Sequence, residues 1–262
     1  MFWLNNPAGF NRILEKGRVI SRWIVAPGYC RLALKAPEIA QKALPGQFVQ
    51  VFMPSGSGPM LPRPFSVFHA DRSRGELVLL FEVKGPGTTL LAGAEEGEAW
   101  QLLGPLGNGF PSLPPGAMLV AGGMGIAPLA FLAASTEMPR TLIYGAPTAT
   151  LLTCPSGDLD LPGLNVLEVT EDGSRGEKGT AVDLLAGVIK DQAVIFACGP
   201  SGMLSAVQDL CSRHNLPGWV SVEERMACGI GACVGCVTAT KNGYKRVCKD
   251  GPVFPVEEVV LR

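Results

Sequence analysis

Short apolar runs between Gly and Pro turns fill residues 17–103. Runs at 31–34, 47–53, 64–68 and 76–83 have the length and spacing of strands, which predicts a small antiparallel barrel. Past Pro111 the texture changes. Apolar strand segments at 117–121, 141–144, 164–168, 193–197 and 218–222 alternate with helical segments at 128–134, 181–189 and 203–214. That alternation predicts a parallel sheet flanked by helices, an α/β domain of nucleotide-binding type. A glycine-rich cysteine loop and a tail over 237–262 follow. No internal repeat or low-complexity linker interrupts the order. The expected architecture is α+β and multidomain: an antiparallel β-barrel over 1–110, a parallel-sheet α/β domain over 111–222, and a small C-terminal module over 223–262.

The cysteine loop changes the picture most. Cys228, Cys233 and Cys236 have the C-x4-C-x2-C spacing of plant-type [2Fe–2S] sites. Two irons need four thiolates, and Cys248, eleven residues on, is the nearest fourth ligand, arriving sooner than in ordinary plant-type ferredoxins. Gly229, Gly231, Ala232 and Gly235 leave the loop almost bare, so backbone N–H groups can approach a cluster's sulfurs and tune its potential. Zinc is the rival metal. Structural zinc prefers two short Cys pairs with a spacer, whereas this loop has one tight pair and an x4 step. The spacing favours a one-electron carrier.

At 262 residues the chain can hold two compact domains and an extra module. A net charge of −1 gives no sign of a nucleic-acid or anionic-membrane partner. The two histidines, His69 and His214, are too few for a His-rich metal centre and read as surface or core residues. Eight cysteines in a chain of this length are not a disulfide scaffold, and Cys30, Cys154, Cys198 and Cys211 read as small buried thiols. The first residues, Met1 to Pro7, lack the basic and apolar segments of a secretory signal. The most apolar stretch, 118–134, is broken by Gly122, Gly123, Gly125 and Pro128, which makes it a buried strand–loop–helix rather than a membrane span. A cytoplasmic protein is expected.

Four motifs carry candidate chemistry. Arg63-Pro64-Phe65-Ser66 opens a barrel strand, where the arginine fork suits a phosphate and the serine adds a hydroxyl. Gly85, Gly87, Thr88 and Thr89 form a turn into a short helix, where glycines permit close backbone approach. Gly122-Gly123-Met124-Gly125-Ile126-Ala127-Pro128 follows the first strand of the α/β half, where phosphates meet helix amides, although it is not G-x-G-x-x-G. Cys198-Gly199-Pro200 ends a later strand, the place where open parallel sheets bind ligands, so Cys198 is placed to border a reacting ring. Glu223 and Glu224 lead into the cysteine loop, either steering proton or electron traffic or serving as a solvated connector. No catalytic triad or carboxylate pair is found, and no general base or nucleophile is expected.

Together these motifs resemble the ferredoxin reductase superfamily, in the family's order and over most of the chain. More narrowly, the segments Glu223-Glu224-Arg225-Met226-Ala227-Cys228-Gly229-Ile230-Gly231-Ala232-Cys233 and Val247-Cys248-Lys249-Asp250-Gly251-Pro252-Val253-Phe254 resemble the electron-transfer subunits of class 1B dihydroorotate dehydrogenases. The resemblance implies FAD on the barrel, with Arg63, Pro64, Phe65 and Ser66 lining it and Gly85, Gly87, Thr88 and Thr89 at its pyrophosphate. It implies NAD against Gly123, Gly125, Cys198, Gly199 and Pro200, and a [2Fe–2S] cluster on Cys228, Cys233, Cys236 and Cys248. Electrons would run from FMN in a separate catalytic subunit to the cluster, then to FAD and NAD⁺, in pyrimidine biosynthesis, within a heterotetramer of two plus two subunits. No basic residue occurs in Gly145-Ala146-Pro147-Thr148-Ala149-Thr150, which favours NAD over NADP. The rival on the same scaffold is a reductase subunit of another complex, an NAD(P)H:ferredoxin oxidoreductase or a cytoplasmic hydrogenase. A zinc or cluster-binding interaction module without flavin is the reading from a different class.

Overall fold

The computed structural model describes residues 12–54 and 59–261; the N-terminal segment Met1–Pro7 considered above lies outside them. The first half is a closed antiparallel barrel of β1 (Ile13–Ala26), β2 (Tyr29–Lys35), β3 (Phe48–Phe52), β4 (Arg63–Asp71), β5 (Glu76–Glu82) and β6 (Ala99–Leu106), in the order β1-β2-β5-β4-β3-β6. Two short helices, α1 (Pro37–Lys42) and α2 (Pro86–Ala92), connect its strands. Closure leaves no open sheet edge. Val49, Val51, Val67, Leu77, Leu79 and Leu102 are fully buried inside it.

The second half alternates β7 (Ala117–Gly122), α3 (Ile126–Ala133), β8 (Arg140–Ala146), β9 (Leu164–Thr170), the short β10 (Glu177–Lys178), α4 (Ala181–Val188), β11 (Ile195–Cys198), α5 (Ser201–His214) and β12 (Gly218–Ser221). Five of these strands run parallel in the order β9-β8-β7-β11-β12, with β10 added parallel to β9. All six residues of β7 are buried, as expected for a strand covered on both faces. Thr180 caps α4: its hydroxyl accepts from the Asp183 N–H at 3.2 Å, and the Asp183 carboxylate accepts in return from the Thr180 N–H at 2.9 Å.

The tail forms a hairpin of β13 (Val237–Thr240) and β14 (Gly243–Arg246), a helical turn α6 (Val247–Asp250) that carries Cys248, and β15 (Val253–Pro255). β15 pairs antiparallel with β12 and so becomes the edge strand of the α/β sheet. Gln208 of α5 donates to the carbonyls of Val256 and Val259, tying the segment after β15 to the helix. Cys236 and Cys248 share one core with Phe48 and Leu106 of the barrel and Ala197 and Val220 of the sheet. Barrel and sheet meet directly as well. α3 packs on β4, with Phe131 set edge-on to His69 at 6.2 Å. Arg31 of β2 stacks over Phe68 at 4.9 Å and reaches the Asp158 carboxylate at 3.6 Å. This packing sets the turn after β7 opposite the first residues of β4. Among the described residues no helix is long and apolar enough to cross a membrane.

Candidate functional site

A cleft of about 1480 Å³ separates the barrel from the sheet. It exceeds the roughly 300–1,000 Å³ of a single small-ligand site, so it has room for two ligands. Pro64, Phe65 and Ser66 line one wall, and Gly122, Gly123, Met124 and Gly125 the other. Gly199 and Pro200 close it at the carboxyl end of β11.

Gly125 sits where it does because there is no space for a side chain. A Cβ there would lie 1.9 Å from the Cys198 carbonyl oxygen. Two turns, one after β7 and one after β11, therefore meet backbone to backbone. Gly123 has a different reason: its φ is +52°, in the left-handed region, with open space around it.

Cys198 stands behind the cleft rather than in its lining. It is 1 % exposed, and its thiol packs in the core with Ile126 and Phe196. Burial, followed by the Glu223 carboxylate, pushes this thiol far above its ordinary value. Its neighbours Gly199 and Pro200, not Cys198 itself, present surface to a ligand.

Arg63, Gly85, Gly87, Thr88 and Thr89 gather beside the cleft without lining it. The Arg63 side chain lies over Gly87, where a Cβ would fall 3.2 Å from Nε. The Thr88 hydroxyl is occupied by its own turn: it accepts from the Lys84 and Gly85 N–H groups at 2.9 and 3.1 Å and donates to the Gly85 carbonyl at 3.0 Å. Thr89 is exposed.

Glu223 lines the cleft with its side chain open to solvent. The surrounding protein mass of the cleft walls raises its carboxyl, opposed by the Lys84 ammonium. Lys84 pairs with Glu82 at 2.8 Å. Among the described residues lining the cleft Lys84 is the single basic one, facing Glu82, Glu171, Asp183, Glu223 and Glu224. Sequence reasoning left Glu223 open and missed Lys84, because nothing in their local sequence shows that two domains converge on them.

The four tail cysteines come together in two pairs. Within each pair the backbone N–H of one cysteine donates to the sulfur of the other: Cys233 to Cys228, and Cys248 to Cys236. Among the described residues no three His, Cys, Asp or Glu side chains gather around one point as a single metal ion requires. Two pairs suit two metals, each held by two thiolates. The Gly231 N–H donates to Cys248 Sγ at 3.1 Å, the Cys233 N–H to Cys228 Sγ at 3.4 Å, and the Cys248 N–H to Cys236 Sγ at 3.5 Å. Burial opposes ionisation of Cys228, yet the N–H groups of Cys233 and Ile230 outweigh it and bring the thiol down to about 6. Burial, then the neighbouring Cys236, pushes Cys248 up to about 12.

Gly229 and Gly231 adopt φ of +66° and +80°, and Val234 holds +56°, unusual for a β-branched residue. Cys233 and Val234 are exposed, whereas Cys236 and Cys248 are buried. Arg246 anchors the loop by donating to the Gly231 carbonyl at 3.0 Å while pairing with Asp250 at 3.4 Å.

Comparison with known proteins follows the same division. The family model for the iron–sulfur cluster binding domain of dihydroorotate dehydrogenase B matches residues 223–260. The chain is 37 % identical over 254 residues to the electron transfer subunit of dihydroorotate dehydrogenase B (NAD⁺) from Desulforamulus reducens, covering 93 % of this chain and 97 % of that protein. It is 36 % identical over 255 residues to the subunit of the same name from Bacillus caldolyticus, covering 94 % and 98 %. The structure of an NADH-dependent reduced ferredoxin-NADP oxidoreductase superposes with a TM-score of 0.84 at 28 % identity, over 94 % of this chain and 90 % of that one. A ferredoxin NADP⁺ reductase from Neisseria gonorrhoeae, with FAD and NADP bound, superposes at 0.64 and 20 % identity over 78 % and 92 %, a likeness of fold.

Proposed function

The chain belongs to the family of dihydroorotate dehydrogenase B electron transfer subunits, and from that premise we propose that it carries electrons released by a dihydroorotate-oxidising partner to NAD⁺ in pyrimidine biosynthesis. The partner is an FMN-containing catalytic subunit, and the assembly holds two copies of each chain. When bound, the [2Fe–2S] cluster supplies one-electron transfer and FAD the conversion between single electrons and hydride.

The observation that carries this reading is the pairing of four cysteines, held by backbone N–H groups on their sulfurs, beside a two-ligand cleft. Cys228 and Cys233 would hold one iron, Cys236 and Cys248 the other. The N–H groups of Gly231, Cys233 and Cys248 already point at sulfur and would stabilise the cluster's negative charge. Pro64, Phe65 and Ser66 would seat the flavin, with Arg63 over Gly87 at its phosphates. Gly123, Gly125, Gly199 and Pro200 offer bare backbone to a nicotinamide nucleotide. The acidic lining with Lys84 as its one cation suits NAD, which lacks the 2′-phosphate of NADP. The buried core holding Cys236 and Cys248 would shield one side of the cluster, while exposed Cys233 and Val234 bring its other side to the surface where the partner docks.

The test is anaerobic NAD⁺ reduction by dihydroorotate with this chain co-purified with its FMN partner. Activity that vanishes without this chain is the expected result. Failure to associate, with flavin and cluster absorbance still bleached by NADH, would replace the dihydroorotate assignment by another reductase complex of the same scaffold.

A further inference from the structure

Gln50 is a polar residue in a strand that otherwise asks for apolar ones. In β3, Val49 and Val51 point into the barrel core, so alternation turns Phe48 and Gln50 outward. The cluster loop covers that outward face. A Cβ on Gly229 would come within 2.7 Å of both Cγ and Nε2 of Gln50, and Phe48 packs in the core that holds Cys236 and Cys248. Gln50 is 0 % exposed, yet among the described residues neither Nε2 nor Oε1 has a hydrogen-bond partner. Orphaned buried amides are rare, and a methionine or leucine would cover the loop without that penalty. The amide therefore fits a hydrogen-bonding group that arrives between the barrel wall and the cysteine loop.

Two groups are available, the flavin and the cluster. Gln50 does not line the cleft, whereas Gly229 adjoins the cluster ligand Cys228. We propose that the Gln50 amide donates a hydrogen bond to a sulfur at the Cys228 corner of the cluster and thereby raises its reduction potential. A donor stabilises the more negative, reduced cluster. The inference rests on the reading that Cys228, Cys233, Cys236 and Cys248 hold a [2Fe–2S] group. It gives the barrel, not only the tail, a part in setting the driving force of the electron relay.

The experiment is a redox titration of the cofactor-loaded chain and of Gln50→Met, following the reduced cluster by electron paramagnetic resonance and the flavin by absorbance. Methionine keeps the length of the side chain and removes the donor. The expected result is a cluster about tenfold less reduced at a given potential, a fall of roughly 59 mV for a one-electron couple, with flavin midpoint and iron content unchanged. An unmoved cluster potential at full iron content, or a shift confined to the flavin, overturns the proposal. Gln50→Asn keeps an amide on a shorter stem; iron loss in both variants would assign Gln50 to structure alone and equally overturn it. A wild-type chain with flavin but no cluster signal would instead remove the iron–sulfur reading beneath it.

Discussion

Gly125 and Gly123 sit two residues apart in one turn, and the structure predicts different costs for the same substitution. Gly125 needs no special backbone, with φ of −59°, so its requirement is space alone. An added Cβ would meet the Cys198 carbonyl oxygen at 1.9 Å, against 3.4 Å for ordinary contact, so the end of β11 has to retreat by about 1.5 Å. The obstructing atoms are backbone and cannot rotate away. Overpacking costs about 1–3 kcal/mol and occasionally more, and Gly125→Ala belongs at the upper end, ~3 kcal/mol. Gly123→Ala meets nothing within 4 Å but must hold a left-handed φ of +52°, a cost of about 1 kcal/mol. At roughly 2–4 °C per kcal/mol for a chain of this size, Gly125→Ala melts about 6–12 °C below wild type and Gly123→Ala only about 2–4 °C below. The assay is thermal denaturation of the flavin-loaded proteins, followed by NADH-driven flavin reduction. That reaction is expected to require more NADH in Gly125→Ala, because Gly199 moves with Cys198. A Gly125→Ala protein as stable as wild type, or more stable than Gly123→Ala, would refute the close-approach argument.

Cys233→Ser is expected to keep NADH-dependent flavin bleaching while abolishing dihydroorotate-dependent NAD⁺ reduction by the assembled complex; retained transfer would disprove the assigned route. Thr180→Ala removes the hydroxyl that caps α4 and is expected to cost ~1 kcal/mol, read as a small drop in melting temperature with the fold intact by circular dichroism. Tyr144 is fully buried, with its hydroxyl hydrogen-bonded to Thr153 at 3.0 and 3.1 Å, and burial pushes it up to about 12. The neutral phenol is thus favoured in the fold. Its stabilising contribution is complete below about pH 10 and is lost as pH rises through 10 to about 12. Tyr144→Phe should flatten the fall in stability over that window while costing about 1 kcal/mol at pH 8; an unchanged alkaline profile would count against this assignment. In native protein at pH 8, a thiol reagent should leave the buried Cys30, Cys154, Cys198 and Cys211 untouched and reach them only on unfolding.

Strands buried on both faces were legible from their apolar centres: β7 is apolar throughout, and β8 carries Leu142, Ile143 and Tyr144 behind the polar Arg140 and Thr141. The barrel's other strands were harder. β1 spans fourteen residues, but its exposed Lys16, Arg18 and Trp23 and two register shifts break the alternation that would announce it. β15 is three residues long and ends in proline, so it reads as loop until β12 supplies its partner. The grouping of the four tail cysteines was legible from spacing, since three of them lie within nine residues and Cys248 follows soon after. Gln50 was invisible inside the apolar run 47–53, because its lack of partners depends on Gly229, remote in sequence and close in space. Cys198 illustrates the opposite limit. Its position at a strand end pointed to the cleft, yet the turn after β7 lies so close that the thiol is sealed behind it.

The pairing of β15 with β12 bears on how such a protein can be recombined. The segment 223–260 looks like a transferable cassette, and a family model delimits it as one. Excising it would also strip the α/β sheet of its edge, baring the amides of β12 to other chains, and would take from Gln208 both carbonyls it binds. A working chimera has to exchange α5 and β12 together with the cysteine loop. Gene shuffling that respects the fold would therefore move the cysteine loop and the α/β sheet as one inheritance, and a new barrel would have to bring its own match to the Phe48 and Gln50 face that the loop covers.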